Sequence, residues 1–411
     1  MFLLPTLFQL SVPPQSERPA EIKVQIGAEL LIEKHQNLLS QRRVGLICNH
    51  TSVLQDGHHL ADILNESPSI ELVALFGPEH GIRGNAPDGE SVQHGLDTNT
   101  QVPIYSLFGE TNKPTPEMLN GIDLLLFDIQ DIGARFYTYI STLSLAMEAA
   151  AEHSIPFVVL DRPNPIRGDR VEGPLREESL CSFFGLHPLP IVHGMTVGEL
   201  AMMFNGEGWL KGGIKTNLRV IQMEGWKREW WYDETGLPWI KPSPSMLTMR
   251  TAVVYPGTCL IEGTNVSEGR GTSHPFENLG APWISGEELA ETLNAASLPG
   301  ISFKPIEFRP INVNQLTIDP KFEGELCRGI YLDVNDRNIF HPVATSIVIL
   351  CALKKLYPNH FAFRDQHFDL LAGVSWIRQM INEGAAPEEI IARWAEDTER
   401  FRSLREKYLI Y

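Results

Sequence analysis

LFGPEHGIRGNAPDGE, residues 75–90, is the stretch on which the reading of this chain turns. The apolar run Leu72 to Phe76 stops at Gly77 and Pro78, and Glu79, His80, Arg83, Asp88 and Glu90 follow in a loop punctuated by Gly77, Gly81, Gly84 and Gly89. A short apolar run bounded by glycine and proline reads as a buried strand. In open parallel α/β sheets, ligands bind just beyond the carboxyl ends of such strands. Two glutamates, a histidine and an arginine at that place predict acid/base chemistry on a small polar substrate.

Working outward, similar runs recur at Val44–Cys48, 104–106, 124–127 and 157–160, separated by helical patterns at 57–65, 116–119 and 141–153. Near-continuous apolar strands alternating with helices predict a parallel sheet covered on both faces. Residues 41–205 therefore read as a Rossmann-like, doubly wound domain, preceded by an N-terminal arm and lead-in over 1–40. No G-x-G-x-x-G follows the first strand, so no dinucleotide is implied. Residues 206–411 read as a second, smaller α/β auxiliary domain closing the cleft. It has helical patterns at 285–296 and 344–356, strands at 303–308 and 329–334, and a last helix at 387–408 with a Glu396–Arg400 pair. A length of 411 residues agrees with two domains.

The balance of 34 basic against 51 acidic residues, a formal charge of −17, argues against nucleic acid or anionic membrane as a partner. Five scattered cysteines without a CxxC pair suit neither a disulfide scaffold nor a zinc site. The leader MFLLPTLFQLSVPPQSERPAE has a short apolar core broken by Pro5, no basic start and no small-x-small cleavage site, so it reads equally as a degenerate export signal or as an arm. No other window approaches a membrane span.

Four candidate strands end in polar residues on one edge: Asn49 after the first, Glu79 and His80 after the second, Asp128, Asp131, Arg135 and Tyr137 after 124–127, and Asn164 after 157–160. Glu79 is the leading general acid or base, because glycosidic cleavage needs a carboxyl to protonate the leaving oxygen. Glu90, across the glycine-rich loop, and Asp128 are candidates for the second catalytic group. Arg135 is expected to pair with Asp128 or Asp131, and the Tyr137 and Tyr139 hydroxyls to meet a sugar ring. His50, His58, His59, His80 and His94 lack metal-binding spacing. A second constellation, 255–272, alternates glycines with Glu262, Asn265, Ser267, Glu268 and Arg270. It reads as a functional loop for a multi-hydroxyl ligand rather than a core element. Trp239 and residues 242–245 are expected along a cleft wall.

Taken together, VGLICNHTSV (44–53), LFGPEHGIRG (75–84), DGE (88–90), LLLFDIQDIGARFYTYISTL (124–143), VVLDRPNPIRGDRVEGP (158–174), HGMTVGELAMMFN (193–205), PSPSM (242–246) and YPGTCLIEGTNVSEGRGTSHPFENLGAPW (255–283) resemble the exo-acting β-N-acetylmuramidases of the NamZ type, glycoside hydrolase family 171. The resemblance implies a Rossmann-like domain joined to an auxiliary domain. It implies release of terminal β-1,4-linked N-acetylmuramic acid from the non-reducing end of peptidoglycan fragments, without a cofactor. Glu79 matches the motif glutamate. Ser245 departs from the asparagine expected in PSPSM. Relatives are commonly exported, which favours a periplasmic or extracellular location, while the poor leader leaves the cytoplasm open. The lactyl carboxylate of muramic acid calls for a cation, and Arg83, Arg135 and Arg270 are the motif arginines available. Another cleft hydrolase, such as a metal-assisted esterase or amidase, or a non-catalytic peptidoglycan binder are the competing readings.

Overall fold

A computed structural model describes residues 24–84, 95–313 and 319–411. Seven strands form the main sheet: β1 (Arg43–Cys48), β2 (Glu71–Gly77), β3 (Gly95–Leu96), β4 (Pro103–Ser106), β5 (Leu124–Asp128), β6 (Phe157–Leu160) and β7 (Leu218–Ile221). Their spatial order is β3-β4-β2-β1-β5-β6-β7, with every pairing parallel except β3 with β4. The central strands are continuously apolar because both of their faces are covered. Ile47, Ala74, Phe76, Leu125, Phe127, Phe157 and Val159 face the helices Tyr139–Glu152 and Val197–Gly206. Val44, Leu46, Leu72, Leu124, Leu126, Val158 and Leu160 face the helices Gly27–Lys34 and Leu60–Glu66. A register shift pairs Val44 with Leu72 but Gly45 with Ala74, so Val73 is skipped and the two apolar sets stay on their own faces.

A second, antiparallel sheet comprises β8 (Asn278–Ala281), β9 (Ile301–Phe308) and β10 (Cys327–Val334), in the order β8-β10-β9. Its core residues, among them Leu279, Phe303 and Ile330, belong to the same buried cluster as one face of the main sheet. The chain is therefore an α/β fold with a second, smaller sheet domain packed on the first. The last parallel strand, β7, lies beyond the expected boundary at 205, and the helix Gly27–Lys34 of the expected lead-in covers the main sheet. The C-terminus also returns to the main sheet, where the Tyr411 hydroxyl donates to Asp161 Oδ2 (2.6 Å). Among the described residues, no helix is long and apolar enough to cross a membrane.

Some expected elements differ. Residues 116–119 form turns rather than a helix. The final helix is broken into Pro387–Ala392 and Ala395–Arg405, and Arg400 pairs with Asp397 instead of Glu396. The 255–272 stretch is not all loop. Residues 255–258 finish the helix Met249–Thr258 and a 3-10 turn, Cys259–Gly263, continues it, with all but Glu262 of 255–263 buried. Glycine there serves packing, since a Cβ on Gly257 would stand 2.0 Å from the Pro342 carbonyl oxygen of the neighbouring helix Pro342–Leu356.

One buried histidine gives the fold a pH dependence. His187 packs against Phe204 (4.1 Å between centroids) and Trp209, with Nε2 2.7 Å from Ser144 Oγ. Burial, helped by the Arg176 charge, pushes its pKa down to about 3. The unfolded chain binds this proton near pH ~6.5 and the folded chain does not, so the stability is whole above that pH and is lost as pH falls toward about 3. Between pH 7 and 5 the wild type should lose roughly 2 kcal/mol through this residue. His187→Phe, which keeps the aromatic packing, should lower the melting temperature less over that interval; identical slopes would refute the assignment.

Candidate functional site

β1 stands at the centre of the main sheet, with β2 on one side and β5 on the other, so the carboxyl edge opens at the point where the strand order reverses. β2 delivers Glu79 there. Gly77 O accepts from Leu107 N (2.8 Å), and Gly81 N donates to Pro78 O (2.9 Å), which closes a tight turn behind Glu79. His80 and Gly81 both carry a φ of 72°, a left-handed pair that turns the chain sharply. Glu79 is half-buried and His80 buried, and the Thr138 hydroxyl lies 3.5 Å from Glu79 Oε2.

Glu79, His80, Tyr137 and Thr138 line a cavity of about 360 Å³ together with Tyr255, Glu262, Glu268, Arg270, Lys321, Arg364 and His367. This is the size of a small-ligand site, with polar groups converging on aromatic surfaces. Tyr137 stands edge-on to Tyr139 and Tyr255 (5.0 and 5.9 Å). Tyr139 does not offer its hydroxyl to the cleft as a free donor, because it donates to Pro242 O (2.7 Å).

Part of this lining is an electrostatic block. Arg270 Nη2 pairs with Glu262 Oε1 at 2.7 Å, Nη1 donates to Ser245 Oγ at 3.2 Å, and Nε lies 3.6 Å from Glu268. Lys321 Nζ meets Glu268 at 2.9 Å and donates to the carbonyls of Ile261, Glu262 and Val266. Burial pushes the Glu268 carboxyl up, but Lys321 and Arg270 outweigh it and hold the group below its ordinary range. Burial raises the Tyr255 hydroxyl and the Cys259 thiol well above theirs, so both face the cleft neutral.

The other expected site residues lie outside this cavity. Asp128 is fully buried and held by Arg162, with Nε to Oδ1 at 2.6 Å and Nη2 to Oδ2 at 2.9 Å. Arg135 pairs with neither aspartate; it is fully buried and donates to the carbonyls of Pro174, Leu189 and Leu371. Among the described residues no acid pairs with it, and burial lowers its pKa to about 9. Arg83 bridges Asp62 and Asp97 and is spent on that cluster. Asp131 accepts from Gly133 N and sits 3.6 Å from His193. Asn49 folds onto Thr51, and Asn164 bonds Met195 O and Ile166 N. Asn265 ties the chain to His360 O and Ala362 N, and Ser267 accepts from Gly269 N. Trp239 packs on Tyr232 and donates to Met246 O instead of lining the cleft, although Ser243 does line it. Glu90, Asp88 and His94 lie outside the described residues. Lys321, Arg364 and His367 escaped the sequence reading because no motif surrounds them; they reach the cleft only through the tertiary fold.

Fold and cleft define an α/β protein with a carboxylate-lined pocket at the carboxyl edge of its main sheet. Comparison with known proteins sharpens this. Residues 44–250 match the family described as exo-β-N-acetylmuramidase NamZ, N-terminal, and residues 253–411 its C-terminal counterpart. The chain is 47% identical over 414 aligned positions to the peptidoglycan β-N-acetylmuramidase NamZ of Bacillus subtilis (strain 168), covering 100% of this chain and 97% of that protein. Two crystal structures of DUF1343 family proteins from Bacteroides fragilis are similar. One has a TM-score of 0.88 at 39% identity, covering 95% of this chain and 100% of its own. The other has a TM-score of 0.78 at 35% identity, covering 94% and 99%. This chain belongs to the NamZ exo-β-N-acetylmuramidase family, and so to the glycoside hydrolases.

Proposed function

We propose that the chain removes terminal β-1,4-linked N-acetylmuramic acid from the non-reducing end of peptidoglycan fragments, with Glu79 as the acid/base. The observation that carries this reading is the position of Glu79. It is the one sequence-derived catalytic carboxylate among the described residues that lines the shared cleft, and a tight turn holds it in a cavity also lined by polar and aromatic groups. Protonation of a glycosidic oxygen needs a fixed carboxyl within reach of a bound sugar, and a half-buried site limits competition from water. Glu262 and Glu268, each tied to a cation, serve as shape and hydrogen-bonding groups of the sugar pocket. Arg270 braces them.

The reading is tested by incubating the protein with the β-linked disaccharide MurNAc–GlcNAc and identifying the products. Equimolar free N-acetylmuramic acid and N-acetylglucosamine are expected. A GlcNAc–MurNAc disaccharide of the opposite order should stay intact. Absence of sugar release from the first substrate would remove the proposal.

A further inference from the structure

Muramic acid differs from glucosamine by a lactyl ether that ends in a carboxylate, and a site selective for it needs an available cation. Arg270 and Lys321 line the cleft, but they are committed to Glu262, Glu268, Ser245 and three backbone carbonyls. Arg364 differs. It lines the same cavity, is exposed, and its guanidinium makes no hydrogen bond or ion pair among the described residues. The acids of the adjoining helix Asp365–Ala372 do not neutralise it, because Arg378 takes both Asp365 (3.1 Å) and Asp369 (2.7 Å).

The placement of Arg364 is built in. Arg364, His367 and Leu371 recur at i, i+3 and i+7, so one face of this helix looks into the cleft. The backbone fixes that face: Arg364 N donates to Gly263 O (2.8 Å), and a Cβ on Gly263 would stand 2.5 Å from Phe368 Cα. At the other end, Leu371 O accepts from the buried Arg135 (2.6 Å). The role of Arg135 is thus to seat the helix rather than to meet ligand.

We propose that Arg364 recognises the free lactyl carboxylate of the terminal muramyl residue and selects it over an uncharged sugar and over a muramyl residue amidated by a stem peptide. This rests on the muramidase reading above. A guanidinium fork matches a carboxylate bidentately, and an amide offers it neither the charge nor the second acceptor oxygen. His367, whose pKa burial lowers, adds a neutral ring beside it.

The test compares wild type, Arg364→Gln and Arg364→Lys on 4-nitrophenyl β-N-acetylmuraminide, on its lactyl methylamide and on 4-nitrophenyl β-N-acetylglucosaminide. Binding of free N-acetylmuramic acid and N-acetylglucosamine is measured alongside by calorimetry. Arg364→Gln should lower kcat/KM and affinity for the acid about 10- to 100-fold, the range of a charge-assisted hydrogen bond, chiefly through KM. The amide and the glucosaminide should change less than about threefold, and Arg364→Lys should recover part of the loss. Equal losses on all ligands, or none on the acid, would overturn the assignment of Arg364 while leaving the activity standing. Failure of the wild type to bind or cleave any muramyl ligand would overturn the muramidase reading itself.

Discussion

Glu79→Gln should lower kcat on the MurNAc–GlcNAc disaccharide by about 10²- to 10⁴-fold, the range for removing a positioned general acid. The substitution keeps the volume of the side chain and its hydrogen bond with Thr138, so the turn at Pro78–Gly81 should hold and the melting temperature should move little. What the amide cannot do is deliver a proton to the departing oxygen. The size of the loss should therefore depend on how much the leaving group needs that proton. A dinitrophenyl glycoside departs as a stable phenolate, and on it the variant should lose only a small fraction of what it loses on the natural disaccharide. A nucleophile or a purely structural carboxylate gives the opposite pattern, with similar losses on both substrates. Kinetics on the two leaving groups therefore separate the roles, and equal losses would remove Glu79 as the acid.

Glu79 was legible because its position follows from local rules. Gly77 and Pro78 end an apolar run, and whatever comes next lies on the carboxyl edge of the sheet. The same logic recovered β1, β2, β5 and β6 within a residue or so, since burial on both faces writes a continuous apolar signal. The choice of ion-pair partner was not legible. Arg135 and Arg162 are both close in sequence to aspartates at strand ends, yet Arg162 takes Asp128 and Arg135 reaches Leu371, 236 residues away. That choice depends on which helix end and which loop converge, and sequence spacing carries no record of it. Residues 255–263 misled for a related reason. Their glycines suggested a loop, whereas Gly257 and Gly263 allow two helical segments to approach other backbone closely. The Arg364 wall was invisible because its meaning depends on what Arg270 and Lys321 are already bound to.

Asp128 and Arg162 give the second large effect, and it falls on stability rather than chemistry. Both side chains are buried, at 0% and 5% exposure; Asp128 ends β5 beside β1, and Arg162 follows the neighbouring β6. Burial alone would lower the pKa of Arg162, but Asp128 outweighs it and raises the value, as expected of a buried pair in bidentate contact. Removing either charge strands the other without water. Asp128→Asn or Arg162→Met should therefore each destabilise the chain by about 3–5 kcal/mol, read as a large drop in melting temperature. Whatever folded protein remains should keep kcat on the disaccharide within a few-fold. The double variant Asp128→Asn/Arg162→Met removes both charges at once and should recover much of the lost stability, since the penalty in each single variant comes from the unpaired partner. A catalytic Asp128 makes the reverse prediction. Asp128→Asn would then melt near the wild-type temperature yet lose turnover by orders of magnitude, and adding Arg162→Met would restore nothing. Melting curves and single-substrate kinetics on the three variants decide between a carboxylate that holds the sheet edge together and one that acts on the sugar.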